Sequence, residues 1–123
     1  MRLYLVQHGA ALAKEVDPDR PLSAPGVRDV RRVAAFVKGA GIPVVRIAHS
    51  GKARAEQTAH LLASAFSPAP ALQRRPDLNP KDPVEPLAKS IAGWTEDTLI
   101  VGHLPFLARL VALLVSGDAE LPG

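Results

Sequence analysis

The sequence predicts a three-layer α/β sandwich built on a mainly parallel sheet, and two observations lead there. Short β-leaning apolar runs alternate along all 123 residues with longer stretches whose apolar side chains recur at helical spacing. Three of those runs also stop abruptly at a histidine, at His8, His49 and His103. Parallel strands joined by right-handed crossovers bring their carboxyl ends to one edge of the sheet, where such folds bind ligands.

The elements follow in order. Leu3-Tyr4-Leu5-Val6 is a continuous apolar run, expected to be a strand in the middle of the sheet with both faces covered. Gly9 to Leu22, with Pro18, Pro21 and several charges, is expected to be an irregular loop over the strand end. Ser23 and Pro25 open a helix whose stripe is Val27, Val30, Val33, Ala34 and Val37, ended by Gly39 and Gly41. Val44 to Ala48 is a second strand, closing on His49-Ser50-Gly51-Lys52. A helix follows from Ala53 to about Phe66, with Ala55, Ala59, Leu62 and Phe66 inward.

After Pro68 and Pro70, a short strand spans Ala71 to Arg74, then a proline-rich loop from Arg75 to Pro83 and a helix from Val84 to Ile91. Leu99 to Gly102 is another buried strand ending on His103. Pro105 opens the last helix, Phe106 to Val115, with Leu107, Leu110, Val111 and Leu114 facing the core. The tail from Gly117 to Gly123 has room for an irregular segment or one edge strand.

Composition narrows the function. A chain that is 47% hydrophobic and 22% charged reads as one soluble globular domain, residues 1–123. With no cysteine, disulfides, thiolate-bound zinc and thiol catalysis are excluded. Only 4% of residues are aromatic and the net charge is a modest +3 without a basic stripe, which argues against nucleic acid as a partner. No apolar run reaches membrane length and the N-terminal one is too short for a signal peptide, so a cytoplasmic location is expected.

The three polar strand ends are His8-Gly9, His49-Ser50-Gly51 with Arg54 just beyond, and His103. If they converge, two imidazoles and a guanidinium share a pocket with helix N-termini, an arrangement suited to a phosphoryl group. No carboxylate pair, HExxH, P-loop or GxGxxG points to a metal or nucleotide, and the adjacent Arg54 would repel a cation.

Four segments in order carry a resemblance: Leu5-Val6-Gln7-His8-Gly9; Arg20-Pro21-Leu22-Ser23 with Gly26; His49 through Thr58; and Val101-Gly102-His103-Leu104-Pro105. Together they resemble the histidine phosphatase superfamily, most closely its small SixA-type phosphohistidine phosphatases. The resemblance implies a phosphoglycerate-mutase-like sandwich and a signalling hydrolase that removes phosphate from a phosphohistidine-bearing protein, such as a phosphotransfer domain. It implies that His8 is the nucleophile and becomes phosphorylated, and that Arg54 and His103 hold the phosphoryl oxygens. It also implies a further strand beyond Gly123. The chemistry agrees: phosphoryl transfer to a neutral imidazole needs mainly positioning and charge compensation, and requires no metal or other cofactor. Arg54 supplies a planar, permanently charged fork, and His103 another donor, charged when protonated.

The chain departs from the family at two places. Gln7 stands where the family usually has an arginine before the nucleophile; its amide still donates to phosphate, but at a cost in rate, so Gln7→Arg is expected to raise turnover. The general acid used by many phosphomonoesterases of the superfamily falls near Asn79, with Asp77, Asp82 and Glu85 as nearby carboxylates. Phosphohistidine has a labile P–N bond and needs little acid help, which favours it over alkyl phosphates. Ser50, Gly9 and Arg20 are further candidate phosphate ligands, and Gly51 and Lys52 add an N–H and a field. His49, His60 and Trp94 read as structural. The alternatives are a catalytically weak phosphate-binding module, because of Gln7, or a phosphatase of small metabolites.

Overall fold

The computed structural model describes residues 1–117. Strands and helices alternate throughout: β1 (Leu3–Gln7), α1 (Ala24–Ala40), β2 (Arg46–His49), α2 (Ala53–Ala63), β3 (Ala71–Arg74), α3 (Glu85–Ile91), β4 (Thr98–Gly102) and α4 (Phe106–Ser116). All described strand pairs are parallel, in the order β1-β4-β2-β3. One face carries Ile47, Leu99 and Val101 under Val30, Ala34 and Leu62 of α1 and α2. The other carries Ala48 and Ile100 under Leu87 of α3 and Phe106 and Leu110 of α4. Helices on both sides of a parallel sheet make the expected three-layer α/β sandwich.

The interior strands are β4, buried along its whole length, and β2, and not β1. Among the described residues β1 is an edge strand, half-buried, paired on one side only. The misreading has a physical reason. An apolar run reports that both faces of a strand are covered, as Tyr4 and Val6 on one side and Leu3 and Leu5 on the other are here. It says nothing about whether both flanks are hydrogen-bonded.

Local chemistry sets the boundaries. Ser23 caps α1, its hydroxyl accepting from the Gly26 N–H at 3.1 Å, and Gly41 ends it at φ +64°. Helix α2 stops at Ala63 and not near Phe66. There i→i+3 bonds from Ala65 to Leu62 and from Phe66 to Ala63 tighten the chain, and Ser64 donates back to Leu61 O. Phe66 still packs on the core, from the turn. The expected inward faces of α1 and α4 are too wide. Val33, Val111 and Leu114 are each more than 40% exposed, because the sheet beneath each helix accepts a narrower stripe than the sequence offers. The expected tail, irregular or edge strand, falls on residues 118–123, outside those described. Among the described residues no helix is long and apolar enough to cross a membrane.

Register places the strand ends at one level. Gln7 pairs with Gly102 and His49 with Arg74, and the His8 N–H extends the ladder to Gly102 O at 3.0 Å. His8 and His103 thus each follow the last residue of neighbouring strands.

Candidate active site

Three strand ends and one helix bring the polar residues together. The rings of His8 and His103 lie 4.8 Å apart between centroids, tilted by 52°. His8 Nδ1 is 2.7 Å from Gly9 O. A carbonyl only accepts, so Nδ1 carries the proton and Nε2 is left with its lone pair. Ser50, just past β2, places its Oγ 2.7 Å from His103 Nε2 and accepts from the Lys52 N–H at 3.3 Å. Arg54 rises from the first turn of α2. Its Nε is buried without a partner, as is Nδ1 of His103, which is itself 1% exposed.

The loop between β1 and α1 is fastened by two consecutive residues of α2. Thr58 Oγ1 accepts from the Gly9 N–H at 3.1 Å and donates to Arg54 O at 2.7 Å. Gln57 Oε1 accepts from the Leu22 N–H at 2.7 Å. Sequence reasoning missed both roles. The available signal was Thr58 itself, a polar residue one turn beyond Arg54 on the buried stripe of an otherwise alanine- and leucine-lined helix. Within the loop, Arg20 adopts φ +48° and donates from Nε to Leu12 O at 3.1 Å. Arg20 borders a cavity of about 650 Å³ together with Lys52 and Arg54.

Burial dominates the electrostatics. It pushes His8 below the ordinary imidazole range, against the pull of the Gly9 carbonyl, and the nearby Arg54 and Arg20 charges add to the depression. His103 is lowered from 6.5 to about 3, first by burial and then by His8, Arg54 and Lys52. In the free pocket both rings are neutral at neutral pH, so the charge expected from a protonated His103 is supplied by Arg54 and its neighbours instead.

The remaining candidates fall into place one by one. Gln7 is exposed at the end of β1 and borders a small cleft with Asp29, Val33 and Leu62. The N–H groups of Gly9 and Gly51 are taken, by Thr58 and by His49 Nδ1, which holds His49 to its own turn. Asp77 forms a bidentate pair with Arg75 at 2.8 and 2.7 Å, which keeps its carboxyl below the usual range and unable to donate a proton at neutral pH. Asp82 Oδ2 accepts from the Asn79 N–H at 2.9 Å, and Glu85 is exposed at the start of α3. His60 is exposed beside Glu56, and Trp94 lies under the Arg46 guanidinium at 4.4 Å.

Residues 3–80 match the family model of the histidine phosphatase superfamily (branch 1). The chain belongs to that superfamily. Among its relatives within the superfamily is phosphohistidine phosphatase SixA of Escherichia coli (strain K12), 29% identical over 123 residues that cover 96% of this chain and 76% of that protein. The solved structure of the protein histidine phosphatase SixA complexed with tungstate superposes with a TM-score of 0.84 at 27% identity, covering 96% of this chain and 79% of that one. A phosphoglycerate mutase from Plasmodium falciparum shares the fold, with a TM-score of 0.65 at 21% identity over 92% of this chain and 69% of that one. Hydrolysis of a phosphorylated substrate is the activity that the superfamily match supports for this chain.

Proposed function

We propose that this chain is a phosphatase acting on phosphohistidine in a partner protein, with His8 as its nucleophile. The observation that carries the proposal is the pair of buried donors without partners, Arg54 Nε and His103 Nδ1, beside an imidazole whose free nitrogen is defined by its bond to Gly9. A tetrahedral oxyanion between them accepts both donors. With Ser50 as the donor to His103 Nε2, the ring's remaining proton sits on Nδ1, where an oxyanion can take it.

In the first step His8 Nε2 attacks phosphorus in line with the leaving nitrogen. The new N–P bond forms as the substrate P–N bond breaks, and its electron pair stays on the departing imidazole, which takes a proton from solvent. Water then attacks the His8 phosphoryl group, releasing phosphate and restoring the Nε2 lone pair. Arg54 compensates charge on the equatorial oxygens throughout, with Arg20 at the rim and the Gln7 amide as a further ligand. The partner's identity as a phosphohistidine protein is supported by the SixA likeness and by the loop after β3. That loop offers Asn79 and an ion-paired Asp77 where an alkyl phosphate would need a proton donor.

Incubation with a ³²P-phosphohistidine-bearing phosphotransfer domain is expected to give phosphate release and an acid-labile, alkali-stable phosphoenzyme. His8→Asn abolishes both, a loss of at least about 10⁴-fold. Turnover confined to small esters assigns the site to metabolites, and tight binding of the phosphorylated domain without release assigns it to a docking module.

A further inference from the structure

Beside the phosphoryl site lies a second cavity of about 450 Å³, bordered by Ser50, Gly51, Lys52, Arg74, Pro76 and Asn79. It is one side chain away from the chemistry, because Ser50 also contacts His103 at 2.7 Å. The residues that build it are held in place. Arg74 ends β3 opposite His49 in the register, and the next residue donates its N–H to His49 O at 2.8 Å. The Arg74 side chain lies across Gly51, where φ is +87° and a Cβ would overlap the guanidinium stem, so only glycine permits this packing. The far wall is steadied by the bond from the Asn79 N–H to Asp82.

The charge of this cavity is one-sided. The cavity around Arg20 and Arg54 contains Asp19 and Glu56, whereas no carboxylate borders this one. Among the described residues neither Lys52 nor Arg74 has an ion-pair partner, while the next arginine, Arg75, is neutralised by Asp77. Two uncompensated cations on a recess, next to a site for one anion, form a receptor for a second anion.

We infer that the Lys52–Arg74 recess is a specificity subsite that takes an acidic side chain flanking the phosphohistidine of the partner protein. The inference rests on the proposed substrate and deepens it: the phosphoryl group selects the reaction, and the neighbouring carboxylate selects the partner. Two exposed charge pairs of this kind are worth about five- to tenfold in affinity, shrinking as salt screens them.

The test measures binding of two peptides carrying a stable triazole analogue of phosphohistidine, one with Asp and Glu beside it and one with Asn and Gln. Wild type is expected to prefer the acidic peptide about five- to tenfold at low salt. Arg74→Gln cuts the preference to about two- to threefold, the share of the remaining Lys52 pair, while holding the neutral peptide within about twofold, and Arg74→Lys restores it. Equal binding of both peptides by wild type overturns the inference, as does an equal loss of both in Arg74→Gln. An Arg74-dependent preference seen only for a sugar bisphosphate over its monophosphate also overturns it, and moves the subsite to a second phosphate. A preserved acidic preference without hydrolysis of the natural phosphohistidine peptides upholds the subsite and removes the substrate reading instead.

Discussion

The two ends of the sheet carry cavities of similar size and opposite character. At the amino ends of the strands, a cleft of about 570 Å³ is walled mainly by Val37, Ile42, Pro43, Phe66 and Pro68. At the carboxyl ends, the recesses around Arg20, Arg54 and Arg74 are edged by charged side chains, and two buried donors beside them stand without partners. Volume does not separate a site from a crevice here; the density of charged side chains around it does. The same parallel geometry produces the asymmetry, because every strand hands over to a helix at one end and receives the chain from a helix at the other.

The sharpest way to break this contrast is at Arg54. Arg54→Lys keeps the charge but loses the planar fork, and is expected to lower kcat/KM for an aryl phosphate by about 10²–10³-fold with the melting temperature little changed. A loss below tenfold would mean that the guanidinium geometry is idle.

A second test uses acid. Folded His103 stays neutral down to about pH 3, while the unfolded chain takes up a proton near 6.5. Between those values the unfolded state binds more protons, so stability falls as pH falls through the window. Between pH 6.5 and 4 this amounts to on the order of 3 kcal/mol from His103. The depressed His8 pushes the same way. Urea titrations across this range should show a shallower acid loss in His103→Asn than in wild type; parallel curves would contradict the buried neutral ring.

A smaller effect is expected at the end of β1. Gln7→Arg is expected to raise turnover by about tenfold, the low end of what one charge-assisted hydrogen bond to a phosphoryl oxygen supplies. No rise would show that the pocket is built around the amide. At the opposite end of the sheet, Ile42→Ser should leave kcat within twofold and register only as a lower melting temperature. A catalytic defect there would abolish the contrast between the two ends.

Much of this site was readable from residue order, because strand-end histidines and the Arg54 segment lie in short, contiguous stretches. The order of elements was readable for the same reason. The place of β1 at the edge was not, since facial burial and lateral pairing leave the same apolar signature. Nor were Thr58, Gln57 and the Arg75–Asp77 pair, whose roles depend on contacts across tens of residues or on which neighbour a side chain reaches first. The neutrality of His103 was equally hidden, as burial is a property of the packed chain and not of the letter.

Thr58 and Gln57, one residue apart on the same helix, grip the loop at Gly9 and at Leu22. Between those anchors Arg20 is itself tied to Leu12 O, so only the turn from Lys14 to Asp19 is free to be rewritten. Segments of other length or charge could be grafted between Lys14 and Asp19 to vary what reaches the pocket, while the His8 imidazole stays registered to the helix that carries Arg54.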